Sequence, residues 1–367
     1  MESKKSGSLA LFEKRREYTY KQLEDLELAS ERLLVYNSFD NLGRMPTFLA
    51  LKSDKPLSFM VATSTRGMEV YENGLKLYSR KQFGKGKKLK DLIYLNHLDC
   101  YLLALGSKIY RKDINKKHPY PFINVDCSGR NGACFKYSPL NQRLIVCKEG
   151  ENISVVHLWR RQVELWLDKP GWGVIHDFRV FGETENKVIA VGKGGHVYRY
   201  HLNYGQRKLC QLTQTQIQLE HQRGEEALSV EVCDKNQYAV VAVGDLVGER
   251  KRTKSSRIYL FHLAEGALIQ KGVIDQYDQN VEAQSALGCF GYFGSHALWA
   301  GLTDSSSDYV RIYYYDTEFD TFDWLYDKKD FHPEYKPLKV QRFGLSLYFS
   351  GENRRIVKLT LAKEEEI

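Results

Sequence analysis

The sequence predicts an all-β protein, and three observations lead to this fold class. Aromatic residues make up 13% of the 367 residues, with 24 Tyr and 17 Phe, and broad rings pack well on the pleated surface of a strand. Short runs of alternating apolar and polar residues are separated by turns such as Asn73-Gly74 and Gly194-Gly195. These runs also recur along the chain, which indicates a repeated β unit.

The repeat is clearest in one six-residue phrase, in which a β-branched residue is followed by alternating side chains. The phrase occurs at 109–114, 153–158, 197–202, 258–263, 312–317 and 356–361. An apolar run that ends near a glycine or a small polar turn precedes each phrase, and 57–63 is a further such run before the first phrase. Seven units of about 40 to 60 residues are the length expected for the blades of a propeller.

Unit four shows how each blade is built. Its four predicted strands are Val174 to Phe181, Val188 to Val191, His196 to His201 and Arg207 to Leu212. Four antiparallel strands in each of seven units predict a seven-bladed β-propeller, in which radial repetition protects the strand edges. The seventh unit supplies only three strands between Pro337 and Leu361, so we expect residues 33–36 to add the missing outer strand and join the two chain ends.

The two ends of the chain differ from the repeats. We divide the chain into an N-terminal extension (1–32), the propeller (33–361) and an acidic tail (362–367). Ser8 is a suitable helix cap, and apolar residues at helical spacing predict an amphipathic helix within residues 8–32. This helix either packs on the propeller itself or binds a partner, because an apolar stripe shows only that something covers it.

The third-strand phrases resemble those of the WD40-repeat superfamily, over about residues 33–361. In that family this strand ends in apolar-x-apolar-Trp-Asp. The Trp place here holds Lys112, Val156, Tyr200, Phe261, Tyr315 and Leu359, and the Asp place holds Asp113, His157, His201, His262, Asp316 and Thr360. The chain has no Trp-Asp pair, so the resemblance is to a divergent member, and kelch-like and other propellers stay open as alternatives.

The resemblance also implies which loops share a face. Connections between blades, and turns between second and third strands, lie together in that family, which places the basic loops 83–90 and 248–254 with Trp172 on one face. The predicted partner-binding residues are Lys85, Lys87, Lys88, Trp172, Arg250, Lys251 and Arg252. Solvated turns are the alternative interpretation of both basic loops, and 250–254 also resembles a short nuclear-import signal. The aromatic loop 117–122 is expected on the opposite face.

No motif for catalysis, nucleotide binding or metal binding is present. The sequence lacks G-x-x-x-x-G-K-[ST], G-x-S-x-G and H-E-x-x-H. His157, His201 and His262 hold equivalent places in adjacent blades, which favours packing or hydrogen bonding over a shared metal. The seven cysteines form no C-x-x-C pair and fall mostly in apolar runs, so we expect buried reduced thiols, and neither a cofactor nor a metal.

These observations predict a non-catalytic scaffold that mediates protein–protein interaction within a multiprotein complex, through an extended and acidic segment of a partner. The first alternative is binding of nucleic acid or anionic lipid through the basic face, which the net charge of +8 allows. The second is an enzyme with its active site at the mouth of the channel. The chain has no signal-peptide core and no apolar run of about 20 residues. We therefore expect an intracellular protein without a membrane span, in the cytoplasm or alternatively the nucleus.

Overall fold

Seven antiparallel sheets make up the described part of the chain in the computed structural model, six with four strands and one with five. The structure describes residues 15–18, 33–39, 42–43, 46–63, 67–83, 87–125, 135–147, 153–167, 175–204, 215–219, 225–233, 237–245, 254–264, 267–275, 287–293, 296–303, 309–325, 337–351 and 354–362. Each sheet is one blade of a propeller, so the predicted seven-bladed fold is confirmed.

The strands follow the chain in order through the first three blades. Strands β1 (Arg15–Tyr18) and β2 (Leu33–Phe39) come first. Blade 1 contains β3 (Phe48–Asp54), β4 (Leu57–Ala62), β5 (Met68–Glu72) and β6 (Leu75–Arg80). Blade 2 contains β7 (Leu89–Leu95), β8 (Cys100–Leu105), β9 (Lys108–Asp113) and β10 (Tyr120–Ile123). Blade 3 contains β11 (Phe135–Ser138), β12 (Arg143–Cys147), β13 (Ile153–His157) and β14 (Gln162–Leu167).

Blades 4 to 7 continue the same order. Blade 4 contains β15 (Ile175–Phe181), β16 (Lys187–Gly192), β17 (His196–His201) and β18 (Thr215–Gln218). Blade 5 contains β19 (Glu225–Val232), β20 (Tyr238–Asp245), β21 (Lys254–His262) and β22 (Ile269–Asp275). Blade 6 contains β23 (Leu287–Phe293), β24 (His296–Thr303), β25 (Tyr309–Asp316) and β26 (Thr321–Leu325). Blade 7 contains β27 (Pro337–Phe343), β28 (Ser346–Gly351) and β29 (Ile356–Ala362), and single 3-10 turns occur at Asn96–Leu98 and Lys193–Gly195.

The first strand of each blade lies nearest the central axis. Successive first strands contact one another around the ring, as β15 does with β19 and β27 does with β3. The face on which these first strands begin is called the upper face, and the face on which they end is the lower face. Connections between blades, and turns between second and third strands, therefore lie on the upper face.

The N-terminal strand β2 closes the ring, as the sequence predicted. It pairs antiparallel with β29, from Leu33 opposite Ala362 to Phe39 opposite Ile356, and so forms the outer strand of blade 7. Blade 7 also meets blade 1 through an ion pair, in which the Lys358 ammonium lies 2.8 Å from a carboxylate oxygen of Asp54. The two ends of the chain are thereby built into one sheet.

The apolar core is divided into layers between neighbouring blades. The layer between blades 4 and 5, for example, packs Val191 and Val197 against Ala227, Val241 and Phe261. The layer between blades 7 and 1 contains Phe39, whose ring lies edge-on to Phe59 with centroids 5.2 Å apart. A core of this kind depends on the contact between blades, because no blade buries its apolar faces alone.

One predicted strand differs from the structure, and the predicted N-terminal helix is not tested by it. The described fourth strand of blade 4 is Thr215–Gln218, which pairs with β17, whereas the predicted strand Arg207–Leu212 lies outside the described residues. The helix predicted within 8–32 falls outside the described residues except at 15–18, where β1 pairs with β2 as an additional outer strand.

The described cysteines and helices agree with two further expectations. Cys100, Cys233 and Cys289 are buried free thiols, and burial raises the pKa of Cys100 to about 11. Within the described residues, no helix has the length and apolar character needed to cross a membrane. The predicted domain boundaries and compartment stay predictions.

Replacement of Phe39 by Ala tests the closure of the ring. Phe39 is 1% exposed and contacts the rings of both Phe59 and Tyr71, so its truncation leaves a cavity between blades 7 and 1. We expect Phe39→Ala to lower the free energy of unfolding by about 3–5 kcal/mol in chemical denaturation. Phe319→Ala is the control, because Phe319 is 73% exposed and its truncation should change stability by less than about 0.5 kcal/mol. Equal stability of the two variants would contradict this closure.

Candidate active site

A histidine at the upper end of blade 4 is positioned by a β-bulge. In the pairing of β15 with β16, Ile175 lies opposite Gly192 and Asp177 lies opposite Val191, so His176 is the extra residue of the bulge. First strands of other blades carry similar bulges, but the extra residue is apolar in blades 5 to 7 (Leu228, Phe290 and Leu338). A bulge re-aims a side chain, and in blade 4 the side chain is an imidazole.

The His176 side chain reaches across to blade 5. Its Nε2 atom hydrogen-bonds with Oε2 of Glu226, the second residue of β19. His176 is buried, with 6% of its side chain exposed, and the Glu226 side chain is 17% exposed. A carboxylate that holds an imidazole is the arrangement by which enzymes fix a histidine that transfers protons.

A partly buried charged network lies directly below this pair. The Arg179 guanidinium donates from Nη1 to Asp177 Oδ1 at 2.7 Å, and from Nε to Glu231 Oε2 at 3.0 Å. Burial opposes the charge on the guanidinium, but the carboxylates of Asp177 and Glu231 outweigh it and raise the pKa of Arg179. Arg179 therefore stays charged and joins the first strands of blades 4 and 5.

Asp177 also links the two blades through the backbone. Its Oδ2 atom accepts the Val230 backbone N–H at 3.2 Å and the Ser229 hydroxyl at 3.3 Å. Blade 2 repeats this contact, since Asp91 Oδ2 accepts the Phe135 backbone N–H of blade 3 at 3.3 Å. The role of these aspartates is thus architectural, whereas the histidine beside Asp177 has no counterpart beside Asp91, where Lys90 is the bulge residue.

The structure describes two of the seven residues that the sequence assigned to partner binding. Lys87 and Lys88 are exposed just before β7, and Lys87 Nζ donates to the Tyr110 hydroxyl at 2.5 Å. Lys85, Trp172, Arg250, Lys251 and Arg252 lie outside the described residues. The strands that flank their loops meet the upper face, which His176 shares. Their binding role stays a prediction.

The other residues singled out in the sequence have local contacts. His201 Nε2 lies 3.1 Å from Asn186 Nδ2, and the His262 ring lies 5.0 Å from the Tyr238 ring. In the described part of the chain, no three His, Cys, Asp or Glu side chains are placed to hold a metal ion. The aromatic loop 117–122 is partly strand, because β10 begins at Tyr120 on the lower face, and Phe122 is buried beneath the Arg161 guanidinium.

The sequence reasoning overlooked His176, Glu226 and Arg179. One signal was available, since the strand predicted from Val174 to Phe181 carries His, Asp and Arg in an otherwise apolar segment. A first strand lies on the crowded central axis, where a charged residue requires a partner. The partner blade could not be read from the sequence alone.

Comparison with known proteins supports the fold. Neither a protein-family model nor a curated protein sequence matches the chain. Among solved structures, virginiamycin B lyase from Staphylococcus aureus is similar, with a TM-score of 0.61 and 11% sequence identity. The match covers 89% of this chain and 99% of the lyase chain. At this identity the similarity shows the propeller fold alone, and membership of the WD40 superfamily is not confirmed.

The expectation of a non-catalytic scaffold is corrected on this comparison. The propeller that this chain resembles along nearly its whole length is an enzyme, so the fold gives no ground for excluding catalysis. The predicted absence of enzyme activity rested on missing motifs, and a site assembled from several blades leaves no motif in the sequence.

Replacement of Arg179 by Met tests the charged network. The change leaves Asp177 and Glu231 facing each other without their shared cation, so we expect a loss of about 3 kcal/mol in unfolding free energy at pH 7.

Arg111→Met is the matched control for Arg179→Met. Its partner Asp113 keeps a second cation, Lys116, at 3.3 Å, so the loss should be nearer 1 kcal/mol. Urea unfolding of both variants at pH 7 is the measurement. An equal loss in the two variants would contradict the proposed network.

Proposed function

We propose that this chain is a propeller enzyme whose active site lies at the upper end of blades 4 and 5, with His176 as the residue that transfers a proton. The observation that carries the proposal is the hydrogen bond between His176 and Glu226, which come from the first strands of neighbouring blades. Packing alone does not require a histidine at this bulge position, since Leu or Phe fills it in blades 5 and 6 and Lys90 fills it in blade 2.

The chemistry follows from the arrangement of the pair. Glu226 holds Nε2 of His176, orients the imidazole and stabilises the imidazolium that forms when Nδ1, the other ring nitrogen, accepts a proton from substrate. His176 then returns a proton to the leaving group or to the product. An elimination requires these two proton transfers, and the structural neighbour is by its name a lyase.

The rigidity of the site is supplied by the network below it. Arg179 bonds to carboxylates of both blades, and Asp177 fixes the backbone of Val230 in blade 5. Proton transfer requires donor and acceptor to be held within hydrogen-bond distance, so a fixed spacing of the two blades favours catalysis. Lys87 and Lys88 are exposed on the same face, and we propose that they contribute to the binding of an anionic part of the substrate.

The test compares the purified chain with two site variants, His176→Asn and Glu226→Gln. Each protein is incubated with virginiamycin B and, separately, with a small-molecule extract of the source cells, and the mixtures are followed by mass spectrometry. We expect the unmodified chain to convert at least one compound, and both variants to convert it at least about 100-fold more slowly.

His296→Asn is the matched control. His296 is also buried and paired with a carboxylate, Asp316, with Nε2 to Oδ2 at 3.1 Å, but it begins β24 on the lower side of blade 6. This variant should keep full activity. Conversion that is unchanged in His176→Asn, or no conversion by the unmodified chain, would exclude the proposed site.

A further inference from the structure

An exposed aromatic cluster lies on the lower face of blades 2 and 3, opposite the candidate active site. His97 belongs to the 3-10 turn between β7 and β8, Tyr137 lies in β11, and Trp159 lies in the turn between β13 and β14. Trp159 is 56% exposed, and it is followed by Arg160 and Arg161, which are also exposed. We call these five residues the aromatic–arginine surface.

The rings of this surface are held in fixed positions. The His97 and Tyr137 rings are stacked, with centroids 5.1 Å apart and planes 11° from parallel. The Trp159 ring meets the His97 ring edge-on at 5.9 Å, and its Nε1–H donates to Gln142 Oε1 at 2.7 Å. A large ring that is already fixed loses little conformational entropy when another flat group stacks on it.

Positive charge lies beside the rings. The Arg161 guanidinium is held 4.7 Å above the Phe122 ring, and Lys117 is exposed in the neighbouring turn of blade 2. The acidic Glu185 nearby accepts hydrogen bonds from the Ser138 hydroxyl and the Leu140 backbone N–H. Burial and the charge of Arg111 lower the pKa of His97, which favours the uncharged form of the ring that stacks on Tyr137.

The size of the apolar part decides which ligand fits. Among the described residues here, the exposed large apolar side chains are Trp159 and Leu140, which are too few for the apolar centre of a stable protein interface. One exposed ring face with adjacent arginines is sufficient to stack a base and contact its phosphates. We propose that the aromatic–arginine surface binds single-stranded nucleic acid, with Trp159 stacking a base and Arg160 and Arg161 contacting phosphate.

The test measures binding of fluorescein-labelled 12-nucleotide oligo-U RNA and oligo-dT DNA to the full chain by fluorescence anisotropy, over a range of salt concentrations. We expect Trp159→Ala to weaken binding by roughly 5- to 100-fold, and Trp159→Phe to restore most of it. Arg160→Gln should lower the slope of log affinity against log salt by about 0.7, the value for one phosphate contact. Comparison of the two oligonucleotides shows whether RNA or DNA is bound more tightly.

Two control variants each remove one ring or one positive charge outside the aromatic–arginine surface. Phe319→Ala removes an exposed ring from the lower face of blade 6, and Lys81→Gln removes one exposed positive charge near the upper face. Neither should change affinity by more than about 2-fold. The proposal would be overturned if Phe319→Ala lowered the affinity as much as Trp159→Ala does. It would also be overturned if a duplex of the same length bound equally well, or if neither oligonucleotide bound. Selective binding of a protein in place of the oligonucleotides would also overturn it.

Discussion

Closure of the ring is the constraint on which the rest of the structure depends. Strand β2 from the start of the chain is the outer strand of blade 7, and Asp54 of blade 1 bonds to Lys358 of that blade. The apolar layers lie between blades, so each blade is stabilised only while both neighbours are present. The spacing of any two blades, including blades 4 and 5, is therefore set by the whole ring.

The candidate active site uses this spacing. His176 and Glu226 come from different blades, as do the carboxylates that Arg179 joins. A partly buried ion-pair network of this kind adds little net stability compared with apolar packing, since desolvation offsets most of its Coulomb energy. The network instead fixes the geometry of the site. Its charges are satisfied in one arrangement, and this arrangement holds His176 in position. The connections that enter each blade lie on the same face as this pair.

The sequence predicted the fold well because the signal is periodic and local. The six third-strand phrases correspond to β9, β13, β17, β21, β25 and β29, and the closing strand at 33–36 lies within β2. The site was not predictable in the same way. The bulge that re-aims His176 depends on the pairing of β15 with β16, and the partner Glu226 lies 50 residues away on another blade. The only sign of this site in the sequence was a charged segment within a predicted first strand.

The most direct measurement of the central claim is ¹⁵N nuclear magnetic resonance of the histidine rings in the full chain and in Glu226→Gln. If His176 is hydrogen-bonded to the Glu226 carboxylate, its Nε2 resonance should show a hydrogen-bonded ring nitrogen and should shift in the variant, while the resonances of His296 stay unchanged. A His176 ring that titrates as a solvent-exposed imidazole and does not respond to Glu226→Gln would contradict an acid–base pair between blades 4 and 5.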